Sequence, residues 1–394
     1  MKKKLNLSGE TKSLILLCLV VVAGLLWLML HRLGSLTTGL SLNERAAILT
    51  PLGWHNLYAQ PLYLPLKLVR STVFFLAPDH GQLISRLPNV AFGVLAIICL
   101  AWLVKLWHGN RTTWFAGLLF ATSAWVLHVS RLASYDVLYL LAIPALLLVH
   151  LGLQKRSSPG IWYLCNLLNG FLLFVPGLVW LVILNAYLQR RLLANAWSQF
   201  DSFRQRAFYW LSLLIWLPLL LIDLTRPGQL RLWLGLPAHF VGPLTLLKQF
   251  VAVPVHLFIR GPQYPDQWLG RAPVLDIFTL MACLIGAYFY LSRLDSLRSR
   301  LLVSFFGLGI VLIGLGGPVG LSLLVPILYL AAATGIAYLL HDWLKVFPLN
   351  PIARGLGIGL ITVAVGLACI YNLRAYFVAW PHNNVTKATF RYHL

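Results

Sequence analysis

The chain has 394 residues, of which 59% are hydrophobic and 10% charged, and its mean hydropathy is +0.80. Soluble domains carry about 25% charged side chains, so this composition excludes a soluble fold and indicates a polytopic integral membrane protein. The net charge of +21 does not indicate nucleic acid as a partner. Its 31 Lys and Arg lie mainly in short segments between apolar runs, where cations keep loops cytoplasmic and contact anionic lipids.

The first apolar run predicts a membrane span over 14–31. Lysines in its N-terminal flank place the N-terminus in the cytoplasm: Lys2, Lys3, Lys4 and Lys12. The run is too long for a cleaved signal peptide, which favours a retained signal anchor. Residues 32–85 are then external, with an interfacial helix expected among them. The next predicted spans are 87–106, 113–130 and 136–153.

The apolar run 161–188 is interrupted by Val175-Pro176-Gly177, where proline removes a helical donor. A single crossing would place the following arginine-rich segment outside, so we predict a hairpin of two short helices. Later spans are predicted at 207–224, 275–292, 300–316, 319–340 and 355–373. The sequence thus predicts a single all-α integral membrane domain over 1–394, with about eleven crossings of ~20 residues or fewer.

A long external loop is expected over 225–274. It contains an apolar stretch, GPLTLLKQFVAVPVHLFI, which either crosses the membrane or lies at its surface. Lys248, Gln249 and Pro254 favour an interfacial or re-entrant helix.

Acidic residues are scarce, so their placement is informative. Six of the ten lie at or near the external face in this topology: Glu44, Asp79, Asp136, Asp223, Asp266 and Asp276. The sequence has no P-loop, GxGxxG, HExxH or GxSxG pattern, so nucleotide-binding and common hydrolase sites have no support.

Glu44 has two interpretations that are compatible. Ser41-Leu42-Asn43-Glu44 fits the S-x-x-E capping box, in which the serine and glutamate satisfy each other's backbone donors. A carboxylate near a membrane surface is also suited to accept a proton from an attacking hydroxyl, because partial desolvation raises its pKa.

Several segments in fixed order resemble one family. They are QPLYLPLKLV, ISRLPNVAFGVLAIICLAWLVKLW and GNRTTWFAGLLFATSAWVLHVSRLASYDVLYLLAIPALLL, with weaker likeness in GRAPVLDIFTLMACLIGAYFYL, LLVPILYLAAATGIAYLL and NLRAYFVAWPHN. This pattern is similar to the GT-C glycosyltransferases related to protein O-mannosyltransferases and aminoarabinose transferases. The likeness is best over residues 13–155.

The resemblance implies a GT-C-like fold and transfer of a sugar from a polyprenyl-phosphate donor to a lipid, glycan or protein acceptor. The reaction would occur on the external face of the plasma or inner membrane. The first-loop acid of the family maps onto Glu44. Family members often have Asp-Glu there, whereas this chain has Asn43-Glu44, so the resemblance implies either that Glu44 takes the role of base or that the chain is non-catalytic.

Asp136 is the second candidate catalytic residue, because Arg131 and Asp136 match the arginine and aspartate at the end of the third span in the family. The alternative for that pair is a structural ion pair. Candidate substrate-binding residues are Asn43, Arg86, Arg131, Lys248, Arg260, Tyr264 and Arg271. External cations stabilise a phosphate leaving group, but each of them singly is also suited to reach lipid headgroups.

His55 and His256 are also external, and histidine with carboxylate is a standard ligand set for a divalent metal. Their spacing is not diagnostic, so a metal site and an ordinary polar role both stay open. The alternatives to a transferase are a transporter or flippase of lipid-linked saccharides and a non-catalytic scaffold with the same fold. A flippase would also need an external cationic cavity, and Asn43 is compatible with a scaffold.

Overall fold

The computed structural model describes residues 9–49, 60–77, 81–155, 158–198, 203–214, 216–226, 228–267 and 269–392. These residues are mostly helical, and no strand occurs among them apart from one antiparallel bridge between Leu40 and Tyr392. The helices before the predicted external loop are α1 Gly9–Leu30, α2 Leu42–Leu49, α3 Leu64–Leu76, α4 Gln82–His108, α5 Asn110–Thr122, α6 Ala124–Arg131, α7 Val137–Lys155, α8 Pro159–Leu173, α9 Leu178–Leu188, α10 Arg190–Ser198, α11 Phe203–Leu214 and α12 Leu217–Thr225. Those that follow are α13 Gln229–Trp233, α14 Pro243–Phe258, α15 Ile277–Leu291, α16 Leu297–Gly314, α17 Val325–Val346, α18 Pro351–Arg374, α19 Trp380–His382 and α20 Asn384–Thr389, with 3₁₀ turns at Pro265–Gln267 and Leu321–Leu323 and a π-helical segment at Ala375–Ala379.

Five helices in the described part of the chain are long and apolar enough to cross a membrane, and a sixth span results if α5 and α6 are counted together. The five are α4, α7, α16, α17 with its preceding 3₁₀ turn, and α18 with its extension to His382. The chain bends by 57° between α5 and α6, within the predicted span 113–130. The expected count of about eleven spans is not confirmed. Several predicted spans correspond to apolar helices with only 10 to 17 described residues, and the predicted span 207–224 is divided between α11 and α12.

The predicted hairpin within 161–188 is confirmed as α8 and α9. The chain reverses at Gly177, whose φ of 76° lies in the left-handed region that glycine tolerates. Gln154 at the end of α7 donates a 3.3 Å hydrogen bond to Gln189 after α9, so the chain returns through α8 and α9 to the end of α7 from which it departed.

Helix α18 shows the surface expected of a protein surrounded by lipid. Its outward residues are between 56% and 81% exposed and recur every three or four positions: Ile352, Leu356, Leu360, Val363, Leu367 and Ile370. An apolar stripe of this size would be unfavourable in water. It supports an integral membrane protein with α18 at the lipid boundary.

The bundle has two chemically different ends. Helix α7 begins beside Asp136 and ends at Lys155, whereas α16 has 18 residues and runs the opposite way. A helix of that length spans about 27 Å. We call the end of the bundle beside Asp136 and the end of α16 the Asp136 end. The opposite end, beside Arg190 and the start of α16, is called the Arg190 end. Basic residues gather at the Arg190 end: Lys105, Lys155, Arg190, Arg191, Arg298 and Arg300.

Helices α15 and α17 pack closely because glycines face each other. A Cβ added at Gly286 would lie well inside van der Waals contact of the Ala331 carbonyl oxygen, and one at Gly335 would meet the Ala282 carbonyl in the same way. Small residues let membrane helices approach until dispersion contacts form along the backbones. These two glycines therefore fix the distance between α15 and α17.

Gly286→Ala is expected to destabilise the protein by about 2 kcal/mol, because backbone atoms cannot move aside as a flexible side chain can. Gly359→Ala on α18 is the matched control, since a Cβ there meets nothing within 4 Å. In a helix interior it is expected to be neutral or to stabilise by about 0.5–1 kcal/mol. Thermal unfolding in detergent measures both, and an unchanged midpoint for Gly286→Ala contradicts the close packing.

Candidate functional site

Glu44 of α2, in the predicted first external loop, and Arg86 of α4 form a buried ion pair. The pair is bidentate: Arg86 Nε donates to Glu44 Oε1 at 3.0 Å and Nη2 donates to Oε2 at 2.9 Å. Both side chains are 2% exposed. Among the described residues this is the only ion pair within 4.0 Å. Arg86 therefore does not reach lipid headgroups, and the snorkelling alternative is wrong for it.

The predicted capping box at the start of α2 is confirmed. Ser41 Oγ accepts from the Glu44 backbone N–H, and Glu44 Oε2 accepts from the Ser41 N–H, both at 3.1 Å. Glu44 Oε1 also accepts from the Ala133 N–H at 2.8 Å. With the two bonds from Arg86, four donors meet a carboxylate that has about four acceptor positions. In this geometry Glu44 has no oxygen lone pair left for a substrate.

The bonds around this pair hold the segment that precedes Asp136. Asn89 Nδ2 donates to the Ser134 carbonyl at 2.5 Å. The ring of Tyr135 stacks on Tyr63 with centroids 4.0 Å apart. Arg70, also buried, lies 5.6 Å from the Tyr135 ring and donates to the Ala47 carbonyl at 2.5 Å. The first loop thus fixes residues 133–135, which place Asp136 at the start of α7.

Asp136 faces a cavity of about 270 Å³. Its polar lining comes from Gln249 and His256 of α14 and from Tyr264 and Gln267 of the long loop. A glycine-rich turn, 316–320, also lines the cavity. A Cβ at Gly320 would lie 2.9 Å from Asp136 Oδ1, so the glycine lets the backbone approach the carboxylate. The cavity therefore joins residues that are far apart in sequence around one acid.

Burial raises the pKa of Asp136 from 3.8 to about 6. Gln267 opposes the shift by donating to Oδ2 at 3.5 Å, and the nearby charge of Asp266 adds to it. Asp136 precedes α7 and so lies outside the membrane-spanning segment. A carboxylate with this pKa is largely ionised at neutral pH and is a stronger base than an ordinary aspartate.

The 3₁₀ turn Pro265–Gln267 connects Asp136 to the first loop. Gln267 hydrogen-bonds to Asp136, and Asp266 Oδ2 accepts from the Asn43 side-chain amide. The other oxygen of Asp266, Oδ1, is buried and has no hydrogen-bond partner among the described residues. His128 Nε2 lies 2.6 Å from the Asp266 carbonyl, and this contact joins α6 to the turn. Asn43 is thus coupled to a carboxylate that comes from the long loop.

The predicted cations of the long loop lie around the cavity rather than in it. Lys248 is exposed and adjoins the cavity-lining Gln249. Arg260 and Arg271 are exposed on neighbouring backbone segments, which the Gly261 N–H joins by donating to the Arg271 carbonyl at 3.1 Å. Tyr264 is 69% exposed at the opening. Lys248, Arg260 and Tyr264 thus present exposed side chains beside the cavity.

Arg131 does not belong to this group. It is 1% exposed, donates to the His31 carbonyl, and lies 4.7 Å from the Phe377 ring centroid. The expected alternative, an ion pair between Arg131 and Asp136, does not form, and headgroup contact is excluded by burial. Arg131 instead joins the end of α6 to α1 and to the π-helical segment.

The predicted metal ligands are His55 and His256. His55 lies outside the described residues, and His256 places Nδ1 3.1 Å from the Arg260 carbonyl. Within the described ranges no three His, Cys, Asp or Glu residues are grouped so as to hold a metal ion. A divalent metal bound by His55 and His256 therefore stays a prediction.

Three cavity or turn residues were not named as site residues from the sequence: Gln249, Asp266 and Gln267. Asp266 belongs to the six external acids, so the scarcity of acids was a usable signal. The glutamines carry no comparable signal, since their role depends on how the long loop folds back onto α7.

Two crystal structures of ArnT from Cupriavidus metallidurans share this fold. The apo structure aligns with a TM-score of 0.57 and 13% identity over 97% of this chain and 78% of ArnT. The structure bound to undecaprenyl phosphate aligns with a TM-score of 0.54 and 13% identity, over 95% and 76% of the two chains. No family model and no curated protein matches the sequence. The chain therefore shares the fold of ArnT.

Proposed function

We propose that the chain is a GT-C membrane glycosyltransferase that moves a sugar from a polyprenyl-phosphate donor to a hydroxyl of a lipid, glycan or protein acceptor. The observation that carries the proposal is the carboxylate of Asp136, which lines a cavity at one end of a fold shared with ArnT. That a related fold was crystallised with undecaprenyl phosphate supports a polyprenyl-phosphate donor.

Asp136 is the proposed general base. The acceptor hydroxyl forms a bond to the anomeric carbon of the sugar while the bond from that carbon to the phosphate oxygen breaks. The hydroxyl proton passes to Asp136, and polyprenyl phosphate leaves with the bonding electron pair. The raised pKa of Asp136 matches this role, because a general base works best when its pKa approaches the working pH.

The phosphate end of the donor is proposed to lie at the rim formed by Lys248, Arg260 and Arg271. Charge accumulates on phosphate oxygens as the sugar leaves, and cationic donors already in place stabilise that charge. Tyr264, exposed at the opening, is suited to pack against the sugar or its carrier. Glu44 and Arg86 act indirectly, as positioning residues that hold the segment before Asp136.

The Asp136 end is proposed to face the cell exterior, with the N-terminus in the cytoplasm. Support comes from the basic residues at the opposite end, since cytoplasmic loops are enriched in lysine and arginine. A lipid-linked donor would then present its sugar to the cavity from the outer leaflet.

Asp266 is proposed to tune Asp136 through its charge. Asp266→Asn removes a neighbouring negative charge, so the pKa of Asp136 should fall and the rising limb of the pH–rate profile should move to lower pH. Asn43→Asp adds a carboxylate beside Asp266 and should move that limb to higher pH. The double variant Asn43→Asp/Asp266→Asn exchanges the two groups and should return the limb towards wild type.

A purely structural role for Asp266 predicts a different result, because lower stability reduces the amount of active enzyme without moving the limb. The profile of kcat against pH in detergent micelles therefore separates the two. If Asp266→Asn leaves the limb in place, Asp266 does not tune Asp136, and the assignment of Asp136 is unaffected.

The proposed function is tested by incubating the purified protein with a radiolabelled polyprenyl-phosphate sugar and membrane extract as the acceptor source. Label in a new glycosidic product, with release of polyprenyl phosphate, supports the transferase. In proteoliposomes, movement of intact donor across the bilayer without product supports the flippase. If the protein shows neither transfer nor transport with any polyprenyl-phosphate sugar, the result supports the non-catalytic scaffold.

A further inference from the structure

A cavity of about 470 Å³ lies at the Arg190 end, where α9, α10 and α16 meet. Three arginines line it, namely Arg190, Arg191 and Arg300. Two of them open α10, and the third follows the start of α16, so separate parts of the chain bring like charges to one place. Like charges converge at a cost unless something of opposite charge occupies the space between them.

No described carboxylate neutralises this group. The only ion pair within 4.0 Å among the described residues is Glu44–Arg86, at the other end of the bundle. Arg190 packs over the Tyr187 ring at 4.5 Å, which orients the guanidinium without cancelling its charge. Asp295 lies in the preceding loop and is exposed, and it forms no such pair with the three arginines.

The rest of the lining is apolar and continues the lipid-facing surface. Leu188, Leu192 and Leu297 contribute side chains to the cavity. On α9, Trp180, Ile183 and Tyr187 are 40%, 53% and 61% exposed, at spacings that place them on one face of the helix. That face leads along the bundle to the cavity. An occupant therefore meets hydrocarbon-like surface on one side and guanidinium groups on the other.

We propose that this cavity binds the headgroup of an anionic phospholipid of the surrounding bilayer. Guanidinium groups form paired hydrogen bonds with phosphate oxygens, which suits a phosphodiester. The leucines and the exposed face of α9 accommodate the acyl chains. Basic pockets between membrane helices bind anionic headgroups in this manner. The site is separate from the Asp136 cavity, because the two lie at opposite ends of α16, about 27 Å apart.

The test uses the full-length protein in neutral detergent, titrated with phosphatidylglycerol or phosphatidylcholine. Thermal unfolding and native mass spectrometry report bound lipid. Phosphatidylglycerol is expected to raise the unfolding midpoint and remain bound, whereas phosphatidylcholine is not. The triple variant Arg190→Gln/Arg191→Gln/Arg300→Gln should weaken phosphatidylglycerol binding roughly 100-fold, from the contribution typical of each cation near anionic lipid.

A matched control removes three charges from the same end outside the cavity: Arg111→Gln/Lys345→Gln/Arg354→Gln. It is expected to bind phosphatidylglycerol like wild type. Equal loss in both triple variants would mean that only general surface charge matters, and the proposal would fail. Arg300→Gln alone, with a loss of roughly fivefold, serves if the triple variant does not fold.

Inorganic phosphate is titrated in a second series of the same measurements, because it has the same oxygens without acyl chains. If it stabilises the protein as strongly as phosphatidylglycerol does, the site binds a soluble anion and the lipid assignment is wrong. None of these measurements uses sugar transfer, so their outcome is independent of the proposed function.

Discussion

Asp136→Asn is expected to reduce the rate of sugar transfer by a factor of about 10²–10⁴, the usual contribution of a positioned general base. The amide keeps the size of the side chain and one acceptor oxygen, so the cavity and the contact with Gln267 persist while the proton acceptor is lost. Donor binding should change little, because the proposed phosphate contacts lie at the rim. The assay is kcat with saturating donor, together with donor binding measured separately.

Two controls separate chemistry from folding. Asp295→Asn removes an exposed carboxylate at the Arg190 end and should leave the rate unchanged. Asp136→Asn itself should be at least as stable as wild type above pH 6. The folded-state pKa of about 6 lies above the ordinary 3.8, so the wild-type protein loses stability as pH rises between those values. If the variant is both inactive and unfolded, the lower rate is explained by the loss of folded protein, and this support for Asp136 is removed.

The pH dependence of wild-type transfer follows from the same group. A base must be deprotonated, so kcat should increase as pH passes through about 6 and then level off until other groups titrate. In Asp136→Asn the residual rate should lack that rising limb. A wild-type rate that does not change between pH 5 and 7 would argue against Asp136 as the proton acceptor.

Glu44→Gln is expected to destabilise the folded protein by about 3–5 kcal/mol, because it leaves the buried Arg86 guanidinium without a counter-charge. The matched control is Ser41→Ala. It removes the capping partner of the same helix without touching the ion pair and should cost about 1 kcal/mol. Unfolding midpoints in mixed micelles give both values.

A double-mutant cycle adds the direct test of coupling. Glu44→Gln and Arg86→Gln each leave the other buried charge without its partner. The double variant should therefore lose less stability than the sum of the losses in the two single variants. Glu44 was also a candidate base from the sequence, and activity per folded molecule separates the two roles. If Glu44→Gln has wild-type stability but has lost transfer, Glu44 acts as a base and its four hydrogen bonds do not describe the working state.

Local features were predictable from sequence, and long-range ones were not. The capping box at Ser41 and Glu44 follows from a spacing of three residues, and the hairpin break follows from Pro176 and Gly177 with the arginines after it. The Glu44–Arg86 pair joins residues 42 positions apart. Nothing in periodicity or charge specifies that partner, so Arg86 was expected at the surface.

The cavity was predicted only in part, because its residues are brought together by long-range packing. Asp136 and Tyr264 were both named from sequence, and the structure brings them to one cavity. Gln267 reaches Asp136 only because the long loop folds back over α7, and that path depends on packing rather than on local pattern. The count of spans differed because apolar content was visible in the sequence, whereas the length of each folded helix was not, and several apolar helices have only 10 to 17 described residues.

The most direct measurement is a structure of the full-length protein with a bound polyprenyl-phosphate sugar. We expect the anomeric carbon to lie beside the Asp136 carboxylate, with room for an acceptor hydroxyl between them, and the phosphate to lie at the rim of Lys248, Arg260 and Arg271. A donor whose sugar occupies another part of the bundle, with Asp136 facing no part of it, would show that Asp136 is not the proton acceptor.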